Sequence, residues 1–204
     1  MTFTQQPTHQ KLTFRQFLDR LPDEEGYYEL IDGQVVRQLP TRRHETIAEL
    51  IADLLKAEVR RSNLNYWISG RVVIQTLKED GTEQGRHPDI TIVDRAVWEA
   101  SPSSYAALLD PPQMAIEVVS TNWEDDYVDK FDEYQRLQIP EYWIVDYLAV
   151  ASRSYLGNPK QPTLFVCCLD DNNTYQMKAY RGGDRIISPT FTQLEITASQ
   201  ILES

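Results

Sequence analysis

The sequence predicts an α/β fold with a mixed β-sheet core flanked by helices, and three patterns support this prediction. Residues 41–61 repeat apolar side chains at the 3.6-residue spacing of an amphipathic helix. Two nearly continuous apolar runs, residues 114–119 and Glu141–Asp146, are typical of strands that are covered on both faces. The pair Asp32-Gly33 between two β-type segments is typical of a hairpin, because it tolerates the positive φ angles of a type I′ turn.

Local signals also place the N-terminal elements. Thr13 is a typical N-cap, which predicts a short helix over residues 14–21 that Pro22 ends. The predicted hairpin follows and pairs residues 27–31 with residues 34–39. In the long helix after the hairpin, the apolar stripe consists of Ile47, Leu50, Ile51, Leu54, Leu55 and Val59.

The rest of the chain predicts strands with one intervening helix. We expect strands over residues 66–77, 89–93, 114–119 and Glu141–Asp146, a glycine-containing turn over residues 79–85 and a loop over residues 102–112. A helix is expected over residues 126–138, because Pro140 disfavours helical backbone in the residue before it. Three later segments, residues 150–155, 164–169 and 175–180, predict a C-terminal β-meander.

We expect one domain over residues 1–204, because no linker, repeat or low-complexity segment interrupts the chain. Its core is expected over about residues 25–148, followed by a β-rich extension over residues 149–204. A chain of 204 residues, 41% of them hydrophobic, can bury a core without disulfides or a structural metal.

Composition argues against several classes of protein. The net charge of −11 excludes a basic, histone-like coat for nucleic acid and argues against a membrane-surface helix. The sequence has no run of 18 apolar residues, which predicts no membrane span, and its first residues lack the features of a secretory signal. Cys167 and Cys168 are adjacent and point to opposite faces of a strand, which favours free thiols in a reducing cytoplasm.

The average charge conceals two contrasting segments. Residues 37–78 carry eight basic and four acidic side chains, whereas residues 79–146 carry sixteen acidic and four basic side chains. This asymmetry predicts two surfaces with different partners. Charges that simply follow solvated helix faces are the alternative explanation.

Lys130 is the clearest charged residue on an apolar face. At about 100° per residue, it projects between Tyr127, Tyr134 and Leu137 on the core side of its predicted helix. A buried ammonium group needs an anion or a shifted pKa. The alternative is a buried stem whose amine reaches water at the helix edge. The opposite, solvent-facing side of the helix is predicted to carry Asp129, Asp132, Glu133 and Arg136.

Three more ionisable residues occupy unusual positions. Glu117 lies inside an apolar strand, where a carboxylate needs a cation, a hydrogen-bond network or a metal. Asp89 begins a predicted strand, and His44 lies on the apolar stripe of the long helix in its first turn. The alternatives are that Asp89 is an ordinary aspartate at the start of a strand and that His44 is a helix-start histidine whose hydrogen bonds are made within the fold. Two carboxylates with a lysine would support Mg²⁺-assisted hydrolysis of a phosphodiester, because the carboxylates suit the ion and the lysine stabilises phosphate charge.

Three segments carry a resemblance to a known family. They are His87-Pro88-Asp89-Ile-Thr-Ile-Val, Met114-Ala-Ile-Glu117-Val-Val-Ser120, and the segment from Asp126 through Ile139-Pro-Glu-Tyr-Trp-Ile-Val-Asp146. In order and spacing, the sequence resembles the Uma-two family (domain of unknown function 820) of the PD-(D/E)xK nuclease superfamily, over about residues 14–146. This resemblance implies a restriction-endonuclease-like fold and a metal-dependent nuclease.

The resemblance also implies the roles of single residues. Asp89 matches the aspartate of the PD element, and Glu117 matches the acidic residue of the (D/E)xK element. Both are therefore implied ligands of Mg²⁺ or Mn²⁺, together with a backbone carbonyl next to Glu117. The sequence departs from the superfamily at Val119, where the lysine is expected, and the resemblance implies that Lys130 replaces it.

Three further positions match the family. His44 matches a histidine at the start of the first long helix and is a catalytic candidate. Tyr134 is a candidate substrate contact, although packing with a hydroxyl tether is the favoured expectation, and Asp146 is expected to end its strand. The family's proline-containing turn is missing from residues 121–125, and Gln138 replaces a common glycine, but neither departure removes a catalytic group.

The leading hypothesis is a Mg²⁺- or Mn²⁺-dependent endonuclease that hydrolyses DNA. The excess of acidic over basic side chains predicts modest, salt-sensitive affinity for DNA. A homodimer would strengthen this affinity by concentrating the basic surface of the protein. One alternative is a silent nuclease fold for binding or oligomerisation, in which Lys130 points away from Glu117 and Asp89 or closes a salt bridge with them. Another is a hydrolase of small phosphate esters with an enclosed pocket. The candidate phosphate contacts are Arg42, Arg43, Arg60, Arg61 and Arg71.

Overall fold

The computed structural model describes residues 11–21 and 26–204. In these residues the helices are α1 (Phe14–Leu18), α2 (Arg42–Arg61), α3 (Arg95–Glu99), α4 (Lys130–Leu137), α5 (Arg153–Leu156) and α6 (Ala198–Leu202), and a π-helical turn (Asp125–Asp129) precedes α4. The strands are β1 (Tyr27–Ile31), β2 (Gln34–Gln38), β3 (Tyr66–Ser69), β4 (Val73–Leu77), β5 (Glu83–Arg86), β6 (Ile90–Asp94), β7 (Ala107–Leu108), β8 (Met114–Val118), β9 (Glu141–Asp146), β10 (Thr163–Leu169) and β11 (Tyr175–Tyr180). None of the described helices is long and apolar enough to cross a membrane.

The strands form two mixed sheets, which confirms the predicted α/β class with flanking helices. The five-stranded sheet has the order β2-β1-β5-β4-β7, and the six-stranded sheet has the order β11-β10-β9-β8-β6-β3. Each sheet contains one parallel pair, β4–β7 in the first and β8–β9 in the second. The parallel β8–β9 pair requires a crossover, which the π-helical turn and α4 provide.

Side-chain alternation along β8 sorts its residues between two cores. Ile116 and Val118 point into the core that includes α2, whereas Ala115 belongs to the core on the opposite face of the sheet. Because successive side chains alternate, Glu117 faces the same side as Ala115, where Tyr134 of α4 packs. The strand therefore presents one carboxylate to the α4 side of the sheet.

Several predicted elements are confirmed. Thr13 caps α1 in a capping box, and Thr41 caps α2, whose bounds agree with the predicted long helix. The β1–β2 hairpin turns at Asp32 and Gly33, which have positive φ angles of 52° and 80°. The predicted stop at Pro22 lies outside the described residues.

The expectation of one strand over residues 66–77 is wrong. β3 and β4 lie in different sheets, and the chain changes sheets at Gly70 and Arg71. A Cβ atom on Gly70 would lie 2.7 Å from the carbonyl oxygen of Asp89, so only glycine permits this close approach. The predicted turn over residues 79–85 is shorter than expected because β5 begins at Glu83, and the loop over residues 102–112 contains β7.

The C-terminal meander contains two of the three predicted strands, because residues 164–169 and 175–180 lie in β10 and β11. Residues 150–155 do not form a strand, because the carboxylate of Asp146 accepts hydrogen bonds of 3.0 Å from the N–H groups of Val150 and Ala151 and turns the chain into α5. The consecutive antiparallel strands are β9, β10 and β11. α3, which Asp94 caps, was not predicted from the sequence.

Candidate active site

Pairing between β6 and β8 brings Asp89 and Glu117 together. Ile90 lies opposite Ile116 in this antiparallel pair, and the same register continued by one residue places Asp89 opposite Glu117. The backbone N–H of Val118 donates a hydrogen bond of 2.7 Å to Oδ2 of Asp89. Two carboxylates that are distant in sequence therefore meet at one point of the sheet.

Glu117 is buried, and both of its carboxylate oxygens have partners. Glu117 is only 2% exposed. The hydroxyl of Tyr134 donates to Oε1 at 2.7 Å, and Nζ of Lys130 lies 3.0 Å from Oε2. Burial raises the pKa of Glu117 well above its ordinary value, the charge of Lys130 opposes this, and the nearby Asp89 adds to it. Glu117 therefore depends on a neighbouring cation to remain ionised.

Lys130 faces inward, as its helical position predicts, and its amine does not reach water at the helix edge. The residue is 7% exposed, and its Nζ lies 3.1 Å from Oδ1 of Asp126 and 3.8 Å from Oε1 of Glu29, in addition to Glu117. Burial disfavours the ammonium ion, but these carboxylates outweigh burial and raise the pKa of Lys130 well above its ordinary value. The side chain is therefore a protonated cation. We call Lys130, Glu117, Asp126 and Tyr134 the Lys130 cluster.

Asp126 and Lys130 are four residues apart and form an ion pair across a π-helical turn. The N–H of Lys130 donates to the carbonyl oxygen of Asp125, which is the wider spacing of a π-helix. Such single π turns often occur at functional sites because they change which side chains share a face. Burial raises the pKa of Asp126 to about 6, while Lys130 lowers it. The sequence predicted a regular helix from Asp126 and did not anticipate this turn.

His44 contacts Asp89 from the first turn of α2. Its Nε2 lies 3.2 Å from Oδ2 of Asp89, and its Nδ1 has no hydrogen-bond partner among the described residues. Burial lowers the pKa of His44, but the hydrogen bond and charge of Asp89 outweigh burial, so the net shift is upward. Asp89 therefore favours the imidazolium form of its neighbour.

A second ionic cluster lies behind the first, around Arg86 at the end of β5. Nε and Nη2 of Arg86 donate to the two oxygens of Glu133 at 2.7 Å each, and Nη1 donates to Asp125 at 3.2 Å. Nη1 also lies 3.6 Å from Oε2 of Glu29, and the hydroxyl of Thr76 donates to Glu133 at 2.6 Å. We call these five residues the Arg86 cluster. Burial opposes the charge of Arg86, but the carboxylates raise its pKa well above the ordinary value.

The prediction that Glu133 faces solvent is wrong. Glu133 is buried, because α4 packs against β4 of the five-stranded sheet as well as against the six-stranded sheet. A helix between two sheets has two covered faces, whereas the periodicity argument assumed one. The sequence also gave no role to Arg86, Glu29 or Asp126. Glu29 could have been found, because it interrupts an apolar strand in the same way as Glu117.

One cavity joins the candidate residues. Its volume is about 540 Å³, and it lies between the β1–β2 hairpin, the start of α2, residues 120–122 and the π-helical turn. Its lining includes His44, Asp89, Glu117, Lys130, Asp126 and Glu29. Neither Arg86 nor Glu133 lines it, so the Arg86 cluster is largely closed while the Lys130 cluster is open to a ligand.

The donor set of this cavity fits a hard divalent cation. Asp89 and Glu117 supply carboxylate oxygens, and the adjacent Val118 also lines the cavity and has a backbone carbonyl. Within the described ranges, no three His, Cys, Asp or Glu side chains are arranged to hold a metal. A site of two carboxylates and one carbonyl would therefore leave coordination positions for water, as Mg²⁺ sites commonly do.

The candidate phosphate contacts lie at different distances from the cavity. Arg42 and Arg43 are exposed and immediately precede His44, whereas Arg60 and Arg61 lie at the other end of a 20-residue helix about 30 Å long. Arg71 lies over the ring of Tyr27, 5.2 Å from its centroid, beside a second cavity of about 420 Å³ that shares Asp89 with the first. The structure therefore brings three of the five arginines near the candidate site.

Tyr134 and Asp146 have internal partners. Tyr134 is fully buried, and its hydroxyl binds Glu117, which is the tether that the sequence analysis favoured over a substrate contact. Asp146 is also buried and accepts its hydrogen bonds from the turn after β9 and from the hydroxyl of Tyr127. Both residues support the site from behind.

Comparisons with known proteins agree with this architecture. A solved structure from Anabaena variabilis, described as a "putative nuclease belonging to DUF820", is 16% identical, covers 94% of this chain and 98% of its own, and superposes with a TM-score of 0.68. That likeness shows a shared fold. Among curated proteins, none matches the chain. The model of the Uma2 family, described as "putative restriction endonuclease", matches residues 14–199, and the chain therefore belongs to the Uma2 family.

Proposed function

We propose that this protein is an endonuclease that hydrolyses phosphodiester bonds of DNA and uses Mg²⁺ or Mn²⁺. The observation that carries the proposal is the convergence of Asp89, Glu117 and Lys130 at one cavity, although they belong to three different elements. The Uma2 family and the nuclease-like neighbour support a nuclease-like function. The dependence on metal and the choice of DNA are part of the proposal.

Asp89, Glu117 and the carbonyl of Val118 would hold the divalent ion. When bound, Mg²⁺ supplies charge neutralisation at the scissile phosphate and lowers the pKa of water that contacts it. The ionised state of Glu117, which burial disfavours, would be stabilised by the same cation. The carboxylate of Asp89 is already oriented by Val118 and His44.

Lys130 would position the scissile phosphate or the attacking water. Its ammonium group is held at the cavity by Glu117 and Asp126, at 3.0 and 3.1 Å, so little reorganisation is needed when substrate enters. A fixed positive charge stabilises the negative charge that develops on the phosphate oxygens. Arg42, Arg43 and Arg71 would contact flanking phosphates, and the predicted homodimer would double this basic surface.

Cleavage of supercoiled plasmid DNA with Mg²⁺ or Mn²⁺ tests the proposal. We expect native protein to nick or linearise the plasmid and Glu117→Gln to reduce the rate at least about 100-fold, because a neutral amide holds a divalent cation poorly. Glu58→Gln is the matched control, since Glu58 is also buried but pairs with Arg61 outside the cavity. Equal rates for the native protein and Glu117→Gln would reject the role of Glu117.

A catalytically silent binding module is the second candidate, and the contacts of Glu117 are the observation that favours it. Both oxygens of Glu117 are already bonded, one of them to Lys130. The ion pairs of Lys130 with described residues do not include Asp89, however, and a cavity remains between the two carboxylates and solvent. Titration calorimetry with Mn²⁺ separates the candidates. An endonuclease is expected to bind Mn²⁺ and to lose this binding in Asp89→Asn, whereas a silent module is expected to show no Mn²⁺ binding that depends on Asp89.

A further inference from the structure

We infer that the DNA strand entering this cavity is unpaired, so that the protein acts on single-stranded or locally melted DNA. The inference rests on the proposed function and specifies the form of its substrate. Three observations carry it, namely the depth of the reactive groups, the apolar rim of the cavity and the acidity of its wall.

The reactive groups lie too deep for the backbone of an intact duplex. Glu117 and Lys130 are 2% and 7% exposed, and four separate segments wall the cavity above them. A cavity of about 540 Å³ falls within the range that encloses a small ligand, which is the size of a nucleotide. A duplex enters such a space only if it is kinked or melted, and that deformation costs free energy that an unpaired strand does not require. Enzymes that enclose a base in a pocket act on single-stranded DNA or take the nucleotide out of the duplex stack, and an enclosed cavity here has the same requirement.

The rim of the cavity is apolar where an unpaired strand would cross it. Leu39 and Leu148 line the cavity and are 79% and 52% exposed. Tyr147 lines it as well and is half-buried. The outer surface of a duplex is mainly charged backbone, whereas an unpaired strand also presents base faces that pack on apolar and aromatic side chains. The rim therefore matches a strand with accessible bases.

The cavity wall also limits the number of phosphates that can enter. Asp125, Asp126 and Asp129 line it together with Glu29, in addition to the proposed ligands. Arg86 and Lys130 already pair with Asp125, Asp126 and Glu29, so these cations are engaged and a further phosphate at this wall would meet little compensating charge. A single flexible strand presents fewer phosphates to this wall than two paired strands do.

Direct binding of labelled oligonucleotides tests the inference without requiring cleavage. Fluorescence anisotropy compares a single strand with the blunt duplex of the same sequence, using native protein in EDTA and separately in Ca²⁺. We expect the single strand to bind at least about tenfold more tightly in one of these buffers. Equal affinity, tighter duplex binding or no binding of the single strand in both buffers would overturn the inference.

The rim leucines provide matched variants. Leu39→Ser and Leu148→Ser should each weaken single-strand binding about fivefold, the amount expected from losing part of a buried leucine contact. Leu109→Ser is the control, because Leu109 is 66% exposed and follows β7, at the opposite edge of the five-stranded sheet from β2. Loss of binding that is equal in all three variants would also contradict the inference.

Failure of the inference is distinguishable from failure of the proposed function. A preference for the single strand without cleavage of either substrate in Mg²⁺ supports the inferred substrate form and rejects hydrolysis. Cleavage of duplex and single strand at equal rates supports hydrolysis and rejects the inferred form.

Discussion

The Lys130 cluster and the Arg86 cluster are built from the same kinds of groups but serve different purposes. Each contains one buried cation, several carboxylates and one hydroxyl donor. Arg86 satisfies Glu133 through a bidentate pair away from the cavity, whereas Lys130 is a single point charge shared by carboxylates at the cavity surface. The comparison indicates that a closed, multiply bonded pair stabilises the fold, while an open pair keeps its charge available to a ligand.

Removing Arg86 should have the largest effect on stability. Arg86→Met leaves Glu133 and Glu29 buried without their guanidinium partner, and we expect a loss of about 3–5 kcal/mol in the free energy of unfolding. Urea denaturation at neutral pH measures it. Arg15→Met is the control, because its ion pair with Asp19 is exposed at both side chains and should contribute little to stability.

The partner of Arg86 supplies a second check on the same prediction. The double variant Arg86→Met/Glu133→Leu should recover part of the lost stability, because Glu133 no longer places an unpaired charge in the interior. A loss that is as large in the double variant as in Arg86→Met would show that the cost comes from packing rather than from charge.

Removing Lys130 should affect activity more than stability. Lys130→Met leaves Glu117 unpaired, but Glu117 lies at a cavity and already has a raised pKa, so it can take up a proton. We expect a loss of about 1–3 kcal/mol in stability and a loss of at least about 100-fold in the cleavage rate. Urea denaturation and the plasmid assay measure the two effects. A stability loss equal to that of Arg86→Met would remove the distinction between the clusters.

The two hydroxyl donors allow a smaller, matched comparison. Thr76→Val removes the bond to Glu133, and Tyr134→Phe removes the bond to Glu117. We expect Thr76→Val to cost about 2 kcal/mol and Tyr134→Phe about 1 kcal/mol, because the raised pKa of Glu117 allows it to compensate by protonation. Thermal unfolding of both variants measures the difference. The reverse order would show that the Lys130 cluster is the more tightly closed of the two.

Glu29 and Glu117 should give opposite pH dependences of stability. Burial opposes the charge of Glu29, but Lys130 and Arg86 outweigh it and lower its pKa, so its contribution is complete above about pH 4.5 and is lost as the pH falls through the folded pKa. The pKa of Glu117 is raised, so its contribution is present below about pH 4.5 and is lost as the pH rises through the folded pKa.

Urea denaturation between about pH 2.5 and pH 8 checks this sign difference, because the contribution of Glu29 changes below about pH 4.5 and that of Glu117 changes above it. Relative to native protein, Glu29→Gln should lose stability toward neutral pH, and Glu117→Gln should gain it, each with a slope of at most about 1.4 kcal/mol per pH unit. Slopes of the same sign in both variants would contradict the assignment of the two glutamates to differently charged surroundings.

The sequence predicted the parts of the molecule that depend on neighbouring residues. The Asp32-Gly33 hairpin, the capped helix α2 and the apolar strands β8 and β9 follow from turn chemistry, capping and periodicity, which act over a few residues. The inward position of Lys130 followed from helical spacing in the same way. Reliance on local pattern also explains the error over residues 66–77, where an uninterrupted β-type pattern concealed a change of sheet at Gly70.

Tertiary structure alone decided which charged groups became partners. Register between β6 and β8 sets Asp89 opposite Glu117, and the five-stranded sheet supplies Glu29 and Arg86 to a helix that the sequence assigned to a single core. The π-helical turn before α4 has no periodic signal of its own. Contacts between distant segments depend on how whole sheets pack, and residue spacing along the chain does not encode that packing. The sequence therefore showed that Lys130 and Glu117 needed ionic partners, and the fold determined which partners they received and brought in Arg86, Glu29 and Asp126.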